Sequence, residues 1–195
     1  MKKTMNQLHF LNSIFKRENF NSDELTLIKS QFETIEFNKN DFVIEKGKVA
    51  NYYYFLESGF LRSFTIDLEG NDITTKFFSE NDIVIDWHSY FLKKSCKESV
   101  QAITKVKCWK ISFESFMKLF HIEAFREVGR TRLINDYFEL KGHSISVIAD
   151  QAKDRYLNLI KEKPNIVQNV PLKHIATYLG ITDTSLSRIR KEITL

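Results

Sequence analysis

Three kinds of hydrophobic patterning follow one another along this chain. Residues 6–15 and 22–31 place apolar side chains at helical spacing. The second segment is opened by Ser22, with Asp23 and Glu24 in the first turn, where acids complement the helix dipole. From Phe32 the period shortens to two: FETIEF alternates apolar and polar positions, the pattern of a half-buried strand. DFVIEKG, YYYFLESGFLRSFTI, DITTKFF and DIVIDW follow, punctuated by turn residues at Gly47, Ser58 and Gly59, Glu69 and Gly70, and Asn81 and Asp82. VQAITKVKCWKI supplies a last pair of strands. Short, evenly spaced strands of this kind predict an antiparallel barrel or sandwich.

From Ser112 the helical period returns. SFESFMKLF predicts one helix, opened by Ser112 with Ser115 at its third position, and a longer one runs from about Ile122 to Ile148. Its apolar residues include Phe125, Val128, Ile134, Tyr137, Phe138, Ile145 and Ile148, spaced mostly by three, four or seven. Two uses of that face stay open: a self-association seam, as in a coiled coil, or packing on the β domain of the same chain. Gly129 and Gly142 each cost about 1 kcal/mol inside a helix, so a bend or interruption is expected there. A hinge at about 149–151 leads into ADQAKDRYLNLIKEKP, a further helix ended by Pro164. The expected organisation is therefore a unit over residues 1–148 and a second over 149–195.

The last stretch, HIATYLGITDTSLSRIRK, has a tighter pattern. Counting from Leu172 as position one, Ile175, Leu179, Ile181, Leu186 and Ile189 occupy the apolar positions of a helix-turn-helix, Ala176 the small one and Gly180 the turn. Thr182 can cap the second helix, whose outward residues Asp183, Thr184, Ser187, Arg188 and Lys191 are polar or basic. Charge sharpens this reading. Residues 151–195 hold eight Lys and Arg against four Asp and Glu, so this segment carries the whole net charge of +4 and residues 1–150 sum to zero. A phosphate-binding surface requires that placement.

Composition excludes much else. Two cysteines, Cys96 and Cys108, are too few for a disulfide scaffold or a four-cysteine cluster, and are expected to be reduced thiols. No apolar run approaches the ~20 residues of a membrane span. Asn6, Gln7, His9 and Asn12 interrupt any signal-like core in MKKTMNQLHFLNSIF, so cytoplasmic residence is expected. The five histidines are scattered, and no nucleophile elbow, metal-spaced cluster or phosphate loop is present, so no enzyme activity, metal or cofactor is expected.

Taken in order, VIEKGKVANYYYFLESGFLRSFTIDLEGND and the C-terminal helix-turn-helix resemble the Crp–Fnr transcription regulators. Gly47 matches the family's first turn glycine, YYYFLESG its aromatic strand and turn at Gly59, DLEG its acidic turn at Gly70. Asp82 matches the aspartate of its Gly-Asp pair, with Asn81 in place of the glycine. The resemblance implies an α+β fold: an N-terminal antiparallel β-roll (cupin-like, a double-stranded β-helix) with flanking helices, a long dimerisation helix and a C-terminal all-α helix-turn-helix. It implies a homodimer on a palindromic double-stranded DNA operator, RNA polymerase as a further partner, a small-molecule effector that the sequence does not name, and no membrane. By the same motif Asp183, Thr184 and Arg188 would read bases, while Lys173, Thr182, Ser185 and Lys191 would hold phosphates. Departures matter as much. The family's phosphate-binding Gly-Glu falls on Ile85 and Asp86, followed by Trp87, and its Arg-Ser falls on Glu98 and Ser99. A carboxylate at the arginine position repels a phosphate, so cyclic AMP is not expected to bind in the family's manner. The chain also stops soon after the second helix, which resembles a shorter subgroup without a winged hairpin. The alternative from another class is an effector-binding or protein-interaction module without sequence-specific DNA binding.

Overall fold

The computed structural model describes residues 10–16 and 18–194. Within them, strands β1 (Glu33–Phe37), β2 (Phe42–Ile44), β3 (Tyr52–Ser58), β4 (Leu61–Ile66), β5 (Asp72–Phe78), β6 (Ile83–Val84), β7 (Ser99–Ala102) and β8 (Val106–Ser112) form two four-stranded sheets. Their orders are β1-β8-β3-β6 and β2-β7-β4-β5, and every pairing is antiparallel. The strands expected as a final pair, β7 and β8, fall in different sheets, because residues 103–105 cross from one sheet to the other.

Strand β3 explains why YYYFLES reads as an unbroken apolar run rather than an alternation. Tyr54 and Leu56 enter the core between the sheets, with Val43, Leu61, Phe78, Val100 and Cys108. Tyr53 and Phe55 point the other way, into a second core shared with Phe15, Ile28, Phe116 and Phe125 from the helices. A strand buried on both faces has no solvent side to place polar residues on. Both cysteines are buried and free.

The helices mostly follow their signals. Residues 10–14 are helical, and residues 6–9 of the first expected helix lie outside the described residues. Helix α1 (Ser22–Ser30) is capped by Asn21 rather than the expected Ser22. Asn21 accepts from the Glu24 amide and Glu24 returns the bond, a reciprocal box that Ser22, already helical, cannot make. The run DIVIDW ends as a strand at Val84, because the Asp86 carboxylate caps α2 (Trp87–Leu92) through the Ser89 amide at 2.8 Å. Ser112 caps α3 (Phe113–Leu119) through the Ser115 amide at 3.2 Å, as its position predicts.

Helix α4 (Glu123–Ala149) runs for 27 residues and is not interrupted at Gly129 or Gly142. Side-chain ties to the β-roll outweigh the two glycine costs: Arg132 donates to the Asn81 carbonyl at 2.7 Å, and Asp136 pairs with Lys76. The backbone turns extended at Asp150 and Gln151. Then come α5 (Ala152–Glu162), α6 (Pro164–Asn169), α7 (Leu172–Tyr178) and α8 (Asp183–Thr194). Pro164 follows the end of α5 and also opens α6, a first-turn position where its missing N–H costs nothing.

One turn is sterically fixed. Gly59 between β3 and β4 has φ +92°, and a Cβ there would meet the Lys105 carbonyl oxygen at 2.4 Å. Gly59→Ala is expected to destabilise the fold by about 2–4 kcal/mol in urea unfolding, whereas Gly47→Ala, with open space around it, costs only its backbone strain of about 1–2 kcal/mol.

Candidate functional site

Helices α7 and α8 are joined by a short turn at Gly180, whose φ of +68° suits glycine, and the Ile181 amide closes on the Ala176 carbonyl at 3.0 Å. Ile175, Ala176, Leu179 and Leu186 are buried, with Ile181 and Ile189 packed against them. These are the positions that the spacing assigns to the interior. Thr182 accepts from the Ser185 amide at 3.3 Å, and the two hydroxyls lie 3.0 Å apart. Ser185 is therefore half-buried and tied to its own cap, less available to a phosphate than expected. Asp183, Thr184, Ser187, Arg188 and Lys191 are all exposed on α8, as is Lys173 near the start of α7. On its other flank α8 is held to α5 through Glu192 and Lys153 at 3.5 Å. The arrangement is a rigid, half-buried helix that offers one polar, basic face to solvent.

The four residues expected at the effector pocket each have a protein partner. Asp86 is the α2 cap. Trp87 donates to Asp136 of α4 at 3.4 Å and stacks parallel on Phe91, ring centroids 5.9 Å apart. The Glu98 carboxylate accepts from the hydroxyls of Ser63 and Thr75, bridging β4 and β5. Ser99 accepts from the Lys46 amide at 3.0 Å. Trp87 instead lines an apolar cavity of about 560 Å³ with Phe91, Phe116, Phe120 and Leu133. Tyr90, another aromatic of α2, is wholly buried in the core, and burial pushes its hydroxyl pKa up.

Several consequential residues gave no sequence signal. Arg62 is 3% exposed and forks onto Asp72, with Thr74 and Gln101 as further acceptors. Helix α4 turns a polar stripe, Arg132, Asp136, Glu139 and His143, toward other parts of the chain. Its apolar stripe faces solvent: Ile134, Tyr137, Phe138 (64% exposed), Ile145 and Ile148 (87%). Among the described residues no helix is long and apolar enough to cross a membrane, and no group of three or more His, Cys, Asp or Glu side chains is placed to hold a metal.

Residues 34–123 match the cyclic nucleotide-binding domain family. The whole chain has likenesses among solved structures. FixK2 of Bradyrhizobium japonicum superimposes with a TM-score of 0.73 at 16% identity, over 84% of each chain. A crp/fnr-family transcriptional regulator from Eubacterium rectale gives 0.70 at 15% identity, over 93% of this chain and 88% of that one. The c-di-GMP-responsive global regulator CLP of Xanthomonas campestris gives 0.69 at 14%, over 89% and 92%. At such identities the likeness is one of fold: a cyclic-nucleotide-type β-roll followed by helices. No curated protein matches the chain.

Proposed function

We propose that this protein is a homodimeric, sequence-specific DNA-binding transcription regulator of the Crp–Fnr type. One observation carries the reading. The α7–turn–α8 pair buries Ile175, Leu179 and Leu186, packs the partly buried Ile181 and Ile189 against them, and exposes Asp183, Thr184, Ser187, Arg188 and Lys191 on the segment that holds the chain's entire positive excess. The fold-level neighbours described as regulators support it. Helix α8 enters the major groove, with Asp183, Thr184 and Arg188 toward base edges and Lys173, Thr182 and Lys191 toward phosphates. Arg188 is exposed at the middle of α8, and a bidentate arginine–guanine contact is the commonest specific one. The sensor unit spans residues 1–148 and the DNA-binding unit 149–195.

Dimerisation uses α4. Its polar stripe is already satisfied within the chain, so the uncovered aromatic and aliphatic stripe is the surface that a second copy covers. The β-roll does not take cyclic AMP in the manner of cyclic-nucleotide members. The arginine that would meet the phosphate is replaced by Glu98, a carboxylate held in place by two hydroxyls, and the Asp86 carboxylate is occupied as a helix cap.

Three outcomes are expected. Selection from a random duplex library at about 150 mM salt, where non-specific phosphate binding is weak, enriches a palindrome; Arg188→Ala weakens binding to it by about 1–3 kcal/mol and relaxes one base position per half-site. A library returning nothing enriched, with the protein alone or with cell extract added, contradicts the reading and favours a module that contacts protein. In sedimentation, the wild type runs as a dimer at micromolar concentration and Phe138→Asp as a folded monomer. Calorimetry with cyclic AMP gives a dissociation constant weaker than about 1 mM, that is, less than about 4 kcal/mol of binding free energy.

A further inference from the structure

Helix α7 is clamped from two sides. On one side it lies along β5, the edge strand of its sheet. The Thr74 amide donates outward to Thr177 Oγ1 at 3.2 Å, and Phe77 meets Tyr178 with ring centroids 5.0 Å apart. Phe77 and Ile103 of the β-roll are buried in one apolar cluster with Tyr156, Ile175 and Leu186. On the other side Tyr178 stacks on His143 of α4, centroids 4.0 Å apart and planes 5° from parallel. Lys163 pairs with Glu139 of α4, and Arg155 donates to the Leu179 carbonyl at 3.0 Å. The C-terminal helices are thus docked on the β-roll and on α4 together, and only the extended residues Asp150 and Gln151 join α4 to α5.

Both flanks of the clamp carry a histidine. His143 is half-buried against Tyr178 and faces Arg155 and Lys163 from the C-terminal helices, with Glu139 of its own helix as the opposing charge. Glu139 is already paired to Lys163. His174 of α7 faces Arg62 and Asp72 of β4 and β5, with Lys173 of its own helix and Asp183 of α8 nearby. Asp72 is likewise paired, to Arg62. An imidazolium at either place would lose water, and the first opposing carboxylate it faces, Glu139 or Asp72, is already paired.

We infer that α7 and the helices packed with it form an acid-sensitive latch: with His143 and His174 neutral the C-terminal unit is docked on the β-roll, and protonation of these imidazoles releases it. The electrostatics agree in sign. Burial, then Arg155, holds the His143 pKa below its ordinary value, and burial, then Arg62, pushes His174 down to about 4. Release returns both to water and to an ordinary value near 6.5. Docking is therefore fullest above about pH 6.5 and is progressively lost as pH falls from there toward 4.

The structure contains its own reporter, which needs no DNA, so this inference stands or falls separately from the DNA-binding reading. The Thr74 amide is covered by Thr177 only while α7 is docked, and its hydrogen exchange, measured by NMR on the full chain and divided by the intrinsic rate, gives the opening constant. Between pH 7 and pH 5 its protection is expected to fall about tenfold, a figure discounted for the half-exposed imidazoles, while the Ser63 amide within the same sheet keeps its protection. In the double variant His143→Gln, His174→Gln the Thr74 protection is expected to be independent of pH. The control His121→Gln, an exposed histidine away from the clamp, keeps the wild-type fall. A pH-independent Thr74 amide in the wild type, or an equal fall in the double variant, would overturn the latch.

Discussion

Helix α4 has two long faces with opposite chemistry, and the rest of the molecule is arranged around that. The stripe turned toward its own chain is polar, and its side chains are satisfied one by one: Arg132 by the Asn81 carbonyl, Asp136 by Lys76, Glu139 by Lys163, His143 by the Tyr178 ring. The stripe turned outward is aromatic and aliphatic. A lone surface helix in water shows the reverse arrangement. In the proposed dimer a second α4 would cover this stripe with a face of the same kind. A pair joined along this seam would have two copies of α8 at fixed separation.

The same helix connects the β-roll with the C-terminal helices. At Asp136 it meets both Lys76 of β5 and Trp87 of α2. One and two turns further on, at Glu139 and His143, it meets Lys163 and Tyr178 of the C-terminal unit. A change at α2 and a change in the docking of α7 therefore act on one rigid element. Linkage between two sites needs a shared element with two arrangements, and α4 with its neighbours is placed to be one.

How much of this is legible in the sequence differs by element. The helix pair at the C-terminus is the most legible, because a short motif with a fixed turn constrains every apolar position at once, and Ile175, Leu179 and Leu186 are where that spacing puts them. The β-roll is legible through its turns at Gly47, Gly59 and Gly70, which adopt positive φ, while Asn81 does so in place of a glycine. Strand β3 hides its alternation because both faces are buried. The Asn21 cap and the short β6 were missed for one reason: a local side-chain bond, from Glu24 or Asp86, decided a boundary that periodicity leaves open. The polar stripe of α4, the buried Arg62 and the histidine clamp carry no pattern, since their partners are 10 to 103 residues away in the chain and only folding brings them together.

The central claim is that two α8 helices, held by one α4 pair, read two half-sites about one helical turn apart, near 34 Å. The most direct measurement is binding to the selected palindrome with five base pairs inserted between its half-sites. The insertion leaves every base contact available but turns the second half-site to the far side of the duplex. The account predicts a loss of affinity of at least tenfold, to the level of a duplex with one half-site. Affinity indifferent to the insertion would contradict it, because the two reading helices would then not be joined in one rigid dimer.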